Sequence, residues 1–347
     1  STMGTYSEIF EQPHCLCCLL ENQRSAVEQV AKEIKKRDIR FAFLAARGTS
    51  DNAGRYANYL LGGVNGLPIA LATPSLFTYY QTPPNLQDAL VIGISQSGQS
   101  PDIVSVIAEG RRQKCLTLAI TNDPDSPLAK QSDLVLPLMT GPELGVAATK
   151  TYTAELMVLA MLSVALSGEA SAWDEVAKVP QWTESVLKNE DYLRNSALRY
   201  RYMDQCVVLG RGFNYSTAYE WALKLKEMTY ISAEPYSSAD FMHGPIAIVH
   251  GGFPVLSVAV GGKVLISMRD TLKQIKDDLN GELMIISDQK EVLDMAVTPV
   301  VLPSGIPEWL SPLVTIIPGQ LFAYHLTCIK GFDPDQPRAI HKVTETR

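Results

Sequence analysis

The chain has 347 residues, 46% of them hydrophobic and 19% charged, a composition that builds a folded protein with ample core and room for two domains of roughly 150 residues each. Lys and Arg number 30 against 37 Asp and Glu, a formal charge of -7, which argues against nucleic acid or an anionic membrane as the main partner because both require a basic surface. A small anionic ligand remains compatible, since one local pocket can hold phosphate inside an acidic protein.

Ser1 and Thr2 ahead of Met3 read as an expression scar and carry no argument. The residues after Met3 lack a basic segment leading into an apolar stretch and a cleavage site, so no signal peptide is expected. Six cysteines without a disulfide-like spacing fit free thiols in a reducing, cytoplasmic setting. Residues 13–36 carry Leu16, Leu20, Val27, Val30 and Ile34 at helical spacing. Cys15, Cys17 and Cys18 fall within that helix and supply only half of a finger-like ligand pattern, so they read as part of an apolar face and no metal is expected.

Beyond this helix, short apolar runs alternate with helical segments, which predicts parallel βαβ units. Strands are expected at 41–46, 69–72, 90–95, 116–121 and 134–138, and again at 206–210, 232–234, 254–260, 283–287 and 300–303. The punctuation repeats at an offset of about 165 residues. Ala46-Arg47-Gly48 matches Gly210-Arg211-Gly212, Ile94-Ser95 matches Val260-Gly261, and Ile120-Thr121-Asn122 matches Ile286-Ser287-Asp288. An apolar helix at 151–167 and an amphipathic one at 172–189 separate the copies; the most apolar stretch, 156–166, is too short to span a bilayer and carries Ser163, with Glu155 just ahead of it. A helix at 312–330, interrupted by Pro318, closes the second copy, and Asp-Pro-Asp-Gln-Pro-Arg keeps the tail from regular helix. The expected organisation is an N-terminal helical segment (1–38), a first α/β domain (39–168), a connecting helix (169–196), a second α/β domain (197–331) and a tail (332–347) able to pack over a site.

Ligands of open parallel sheets bind where strands end and helices begin. Two such loops are rich in hydroxyls: Ser95-Gln96-Ser97-Gly98-Gln99-Ser100 and Gly48-Thr49-Ser50, with Thr149 downstream. Serine and threonine are ordinary helix caps, but two such loops on adjacent strands favour an anion site that needs neither Lys nor Arg. No phosphate-binding G-x-x-x-x-G-K-[ST] loop or dinucleotide fingerprint occurs, so no nucleotide or other cofactor is implied. In the second copy, a helix at 215–230 places Glu220, Lys224 and Glu227 on one face, and His243 follows in Phe241-Met242-His243-Gly244-Pro245. Spacing alone leaves this set open between a salt-bridged surface stripe and acid/base chemistry beside a sugar carbonyl.

Ser95-Gln96-Ser97-Gly98-Gln99-Ser100, Gly145-Val146-Ala147-Ala148-Thr149-Lys150, Leu209-Gly210-Arg211-Gly212, Ala222-Leu223-Lys224-Leu225-Lys226-Glu227, His243-Gly244-Pro245 and Asp335-Gln336-Pro337-Arg338 occur in this order along the chain. Together they resemble the isomerase half of the glucosamine-6-phosphate synthase family, which consists of two sugar isomerase (SIS) domains. The resemblance implies an α/β fold of two tandem three-layer α/β/α sandwiches, flavodoxin-like, each with a mainly five-stranded parallel sheet. It implies that Thr49, Ser50, Ser95, Gln96, Ser97 and Ser100 hold a hexose or hexosamine 6-phosphate, with Val146 at the pocket wall. Glu227 would carry a proton between carbon-1 and carbon-2, and Lys224 would support the enediol. His243 would open the sugar ring, reaching the site from the neighbouring subunit of a homodimer. Lys342 would lie beside the carbonyl and form or assist an imine.

Three positions depart from the family: Arg47 replaces a small residue, Ser100 a threonine and His341 an alanine. No glutaminase domain precedes the first sandwich, which makes a stand-alone relative the expectation. The expected reaction is therefore conversion of glucosamine 6-phosphate to fructose 6-phosphate and ammonia. The alternatives are another phosphosugar aldose–ketose isomerase, a fructosamine-phosphate deglycase and a non-catalytic sugar-phosphate sensor.

Overall fold

The structure, a computed structural model, describes residues 4–342; residues 1–3, on which the expected scar falls, and residues 343–347 of the tail lie outside the described residues. Two compact units appear, one formed by Glu11–Pro180 with 339–342 and the other by 4–10 with Gln181–Arg338. The first is termed the serine unit and the second the glutamate unit.

The serine unit begins with α2 (Gln12–Lys35), the helix α1 (Thr5–Phe10) belonging to the other unit. There follow β1 (Phe41–Ala45), α3 (Gly48–Asn65), β2 (Ile69–Leu71), α4 (Ser75–Thr78), β3 (Ala89–Ile94) and α5 (Pro101–Arg112). Then come β4 (Leu116–Thr121), α6 (Pro127–Gln131), β5 (Leu134–Pro137), α7 (Lys150–Ser167) and α8 (Ala170–Val176). The strands form one all-parallel sheet in the order β2-β1-β3-β4-β5. β3 and β4 are buried along their whole length, as expected of central parallel strands covered on both faces, and this is why they read as unbroken apolar runs. Phe43, Ala45, Val91 and Ala119 pack beneath Ile103, Val106 and Ile107 of α5 and Leu128 of α6. On α3, Gly54 comes so close to Leu44 that an added Cβ would lie 2.8 Å from its side chain. Helix α7 is buried from Lys150 to Val164 without interruption, which explains why its sequence is apolar all round.

After α9 (Val179–Leu187) and α10 (Glu190–Arg199), the glutamate unit repeats the pattern. It runs β6 (Gln205–Leu209), α11 (Tyr215–Thr229), β7 (Ser232–Tyr236), α12 (Ser238–Met242), β8 (Pro254–Val258), α13 (Leu265–Asp277), β9 (Glu282–Ser287), α14 (Lys290–Leu293), β10 (Thr298–Val301) and α15 (Pro312–Ile329). Its sheet, β10-β9-β8-β6-β7, has the same topology as the first and is again wholly parallel. One face packs Val207, Leu209, Val255 and Ile285 against Met268, Leu272 and Ile275 of α13. Helix α15 is long and apolar enough to cross a membrane by composition, but 83% of it is buried inside the protein; its Pro318 lies within the helix.

All ten expected strands form, within a few residues of the expected bounds, and two five-stranded parallel sheets with helices on both sides confirm the α/β expectation. Residues 172–189, expected as one helix, are split into α8 and α9, because Pro180 has no N–H and suits only a first helical turn. Helix α10 was not foreseen. The strand register also corrects the repeat: Ser95 N donates to Ile120 O at 3.1 Å and Ala259 N to Ile286 O at 3.0 Å, so Ser95 corresponds to Ala259 rather than to Gly261. Cys15 is buried on α2 while Cys17 and Cys18 are half-buried.

Candidate functional site

In the serine unit the chain turns from one side of the sheet to the other between β1 and β3, which are neighbours. Such a switch point leaves a crevice at the carboxyl ends of the strands. The loops that leave these two strands are Arg47–Ser50 and Ser95–Ser100, so all the hydroxyls expected to hold phosphate, apart from Thr149, border that crevice. An ion pair ties the loops together: Arg47 Nε lies 2.7 Å from Asp102 Oδ2, with Asp102 fully buried and Arg47 half-exposed.

The hydroxyls have distinct tasks. Ser95 Oγ accepts from Gly98 N at 3.1 Å and Ser97 Oγ from Gln99 N at 3.2 Å, so each hydroxyl hydrogen remains available to donate. Ser100 stands at the N-cap of α5 but its side chain makes no cap bond, which removes plain capping as the explanation for that serine. Gly98 has φ +66°, and any Cβ there would collide with Ser126, so the loop shape requires glycine. Ser50 is used differently: its hydroxyl donates to Glu155 of α7 at 2.8 Å in a buried bond. That leaves only lone pairs, which a phosphate oxygen does not seek. Thr49 and Gln96 are half-buried on the crevice loops, while Thr149 is fully buried at the start of α7.

Beside these loops, the connection from β5 to α7 carries Glu143, a residue that no sequence motif singled out. Its carboxylate is wholly buried and accepts from Thr149 N at 3.1 Å, Thr151 N at 3.0 Å and Thr151 Oγ1 at 2.9 Å. An anion at a helix N-terminus is favoured by the unpaired N–H groups and the helix dipole. The same carboxylate takes Lys342 Nζ at 2.6 Å, and Lys342 also donates to Gly145 O at 2.7 Å. The tail lysine is thereby brought next to the peptide that precedes Val146, and it arrives paired with a carboxylate.

In the glutamate unit, α11 holds the acid/base candidates. Lys224 is completely buried, with Nζ 2.7 Å from Glu227 Oε2 and 3.2 Å from Glu220 Oε1. Burial works against its charge, but Glu220 and Glu227 outweigh burial and push the Lys224 pKa above the ordinary lysine value. Glu220 is also buried, whereas the Glu227 side chain is 25% exposed. The triad is therefore no surface stripe; one carboxylate reaches solvent and is backed by a permanent cation. His243 is exposed at the end of α12, a turn started by Ser237 Oγ accepting from Asp240 N at 3.0 Å. Met242 and Ile248, both large and apolar, are exposed on the same segment.

Comparison with known proteins agrees with this duplicated architecture. A family model described as the SIS domain matches residues 36–165 and again 201–329. The glutamine–fructose-6-phosphate aminotransferase (isomerizing) of Thermococcus kodakarensis is 36% identical over 345 residues, which covers 96% of this chain and 56% of that protein. The chain thus spans about half the length of the curated relatives it matches. Among solved structures, a putative phosphosugar isomerase from Silicibacter pomeroyi DSS-3 superposes with a TM-score of 0.85 at 31% identity, covering 95% of this chain and 99% of that one. The C-terminal domain of the Francisella tularensis glucosamine-fructose-6-phosphate aminotransferase gives a TM-score of 0.85 at 27% identity, covering 96% of this chain and 98% of that one.

Proposed function

Because the chain belongs to the SIS family of phosphosugar isomerases, we propose that it converts glucosamine 6-phosphate to fructose 6-phosphate and ammonia. The observation that carries the reading is the Lys224 ammonium, buried between two carboxylates of which only Glu227 is open to solvent. In an aldose the proton on carbon-2 is acidified by the neighbouring carbonyl. A carboxylate can take it, provided the enolate charge that develops is neutralised.

Ser95, Ser97 and Ser100 hold the phosphate through their hydroxyl groups, with Thr49 and Gln96 at the same crevice, and Ser50 supports them by fixing α3 to Glu155. His243 opens the ring. Glu227 then removes the carbon-2 proton to give an enolamine and returns it to carbon-1, leaving a carbon-2 imine. Water adds to that imine and ammonia leaves. Lys224, 2.7 Å from Glu227, balances the charge that develops on the enediol, and Lys342, paired with Glu143, stabilises the carbonyl oxygen by donating to it. The exposed His243, flanked by Met242 and Ile248, supports a homodimer in which this segment is covered by a second copy.

The test is a product assay on a panel of hexosamine, ketose and fructosamine 6-phosphates, reading ammonia and ketose together. Ammonia and fructose 6-phosphate from glucosamine 6-phosphate are expected, with turnover in Glu227→Gln lower by about 10²–10⁴-fold. Ketose formation without ammonia would assign a plain isomerase, and release of an amine from a fructosamine phosphate a deglycase. Ligand binding with no turnover of any sugar would leave a sensor. For the dimer, mixing inactive His243→Ala chains with inactive Glu227→Gln chains is expected to restore activity, which a site built from one chain cannot do.

A further inference from the structure

The second copy of the crevice is already filled by the chain itself. In the glutamate unit the switch point lies between β6 and β8, and the two loops there are Gly210–Asn214 and Ala259–Val264. The first of the two glycine positions keeps the backbone of the serine unit, while the second stays at positive φ with a different value. Gly48 and Gly212 have φ of +55° and +65°, while Gly98 and Gly262 have +66° and +150°. The side chains differ: Ala259, Gly261 and Val264 stand where the serine unit has Ser95, Ser97 and Ser100. With the hydroxyls gone, the amides of Gly261 and Lys263, just ahead of the 13-residue helix α13, take carboxylate partners from other segments.

Glu308 comes from the connection after β10, the segment whose counterpart in the serine unit carries Glu143. Its Oε2 accepts from Lys263 N at 2.6 Å; the corresponding amide of the serine unit, Gln99 N, goes to Ser97 Oγ. The carboxylate lies across both glycines: any Cβ on Gly262 would collide with it, and a Cβ on Gly212 would come within 3.8 Å of Oε1. The remaining charges are Arg211, bonded to Ser267 Oγ, the exposed Lys263, and Asp288, which accepts from Gly261 N at 2.8 Å. Counted with Glu308, these loops and the carboxylates bonded to them carry two cations and two anions; without it the cations are in excess.

We propose that the cradle formed by Gly212 and Gly261–Lys263 is an anion site for a phosphate-class ligand, closed in this chain by the carboxylate of Glu308 acting as an internal ligand. The proposal does not depend on the catalytic reading. If the serine loops bind the sugar phosphate as proposed above, it follows that one chain holds one such ligand although it carries two copies of the fold.

Titration calorimetry with inorganic phosphate tests this on the full chain. Glu308→Ala is expected to bind one phosphate more per chain than the unchanged protein. Glu308→Gln, which keeps the bulk and removes the charge, is expected to gain the same site with lower affinity. Adding Lys263→Glu to Glu308→Ala is expected to remove the gain. The readout is the increment, so failure of the serine loops to bind phosphate would lower both totals and leave this test intact. An unchanged stoichiometry in whichever of the two variants retains the unfolding transition of the parent overturns the proposal.

Discussion

Lys342 Nζ and Glu143 Oε1 meet at 2.6 Å across 199 residues of sequence. Because Glu143 also receives two amides and a hydroxyl at the start of α7, one carboxylate both begins a buried helix and fixes the tail. A lysine whose Nζ donates to both Glu143 and Gly145 O is engaged as a hydrogen-bond donor, an arrangement suited to polarising a carbonyl and not to attacking it. Borohydride added during turnover is therefore expected to trap no sugar on Lys342, as read by peptide mass spectrometry. Glu143→Gln, which cannot neutralise the lysine, is expected to lower stability by about 1–3 kcal/mol and to make Lys342 accessible to trapping. A labelled Lys342 in the unchanged protein would refute the donor role.

The Glu220–Lys224–Glu227 triad predicts unequal costs for its members. Lys224→Met leaves the buried Glu220 without its cation and should destabilise the protein by about 3–5 kcal/mol. Adding Glu220→Gln should recover much of that loss. Glu227→Gln, at the solvent edge, should change stability by less than about 1 kcal/mol while abolishing most turnover. Chemical denaturation of the three variants alongside the product assay separates support of the fold from proton transfer.

Arg47→Ala removes the guanidinium from Asp102 and unties the two crevice loops. Arg47 is half-exposed, so solvent screens the pair, and the expected loss of stability is about 1–2 kcal/mol, below that of a fully buried pair. Loops that no longer hold their hydroxyls in register should raise KM for the sugar phosphate more than they lower kcat. A fall in kcat at unchanged KM would place Arg47 in the chemistry instead.

His325 supplies a pH dependence. Burial, opposed by Glu190 at 3.3 Å, holds its pKa below the ordinary value of 6.5, and Arg194, Asp191 and the rings of Tyr6 and Tyr324 are its other neighbours. Above that value folded and unfolded chains both carry neutral imidazole, so no dependence arises. As pH falls below it the unfolded chain takes up the proton that the folded chain resists, and stability is lost. The melting temperature should fall from pH 7 toward pH 5, and His325→Gln should flatten that fall; an equally steep profile in the variant would exclude His325 as its source.

Sequence pattern was enough for the strands because a parallel strand covered on both faces has to be apolar throughout, as β3 and β4 are. It was not enough for α10, where only Leu193 and Ala197 are buried and no apolar stripe forms. The spacing of Glu220, Lys224 and Glu227 was legible, but their burial was not, since it depends on α15 packing over α11. Glu143 escaped for a different reason. It lies six residues ahead of the N-cap Thr149, away from the positions where capping side chains are sought, and its partner Lys342 comes from the end of the chain. Glu308 escaped likewise, because glycines that look like lost function are the places where its carboxylate fits.

The tie between Glu143 and the start of α7 turns two amide protons into reporters. Thr149 N–H and Thr151 N–H are shielded from solvent by a side chain that also bonds the tail, whereas the amides deeper in the buried helix exchange with deuterium only when the unit opens as a whole. A ligand that draws Lys342 away from Glu143 would therefore change exchange at the first turn of α7 and leave the rest of the helix untouched, so the position of the tail can be followed in solution without a label placed on the tail itself.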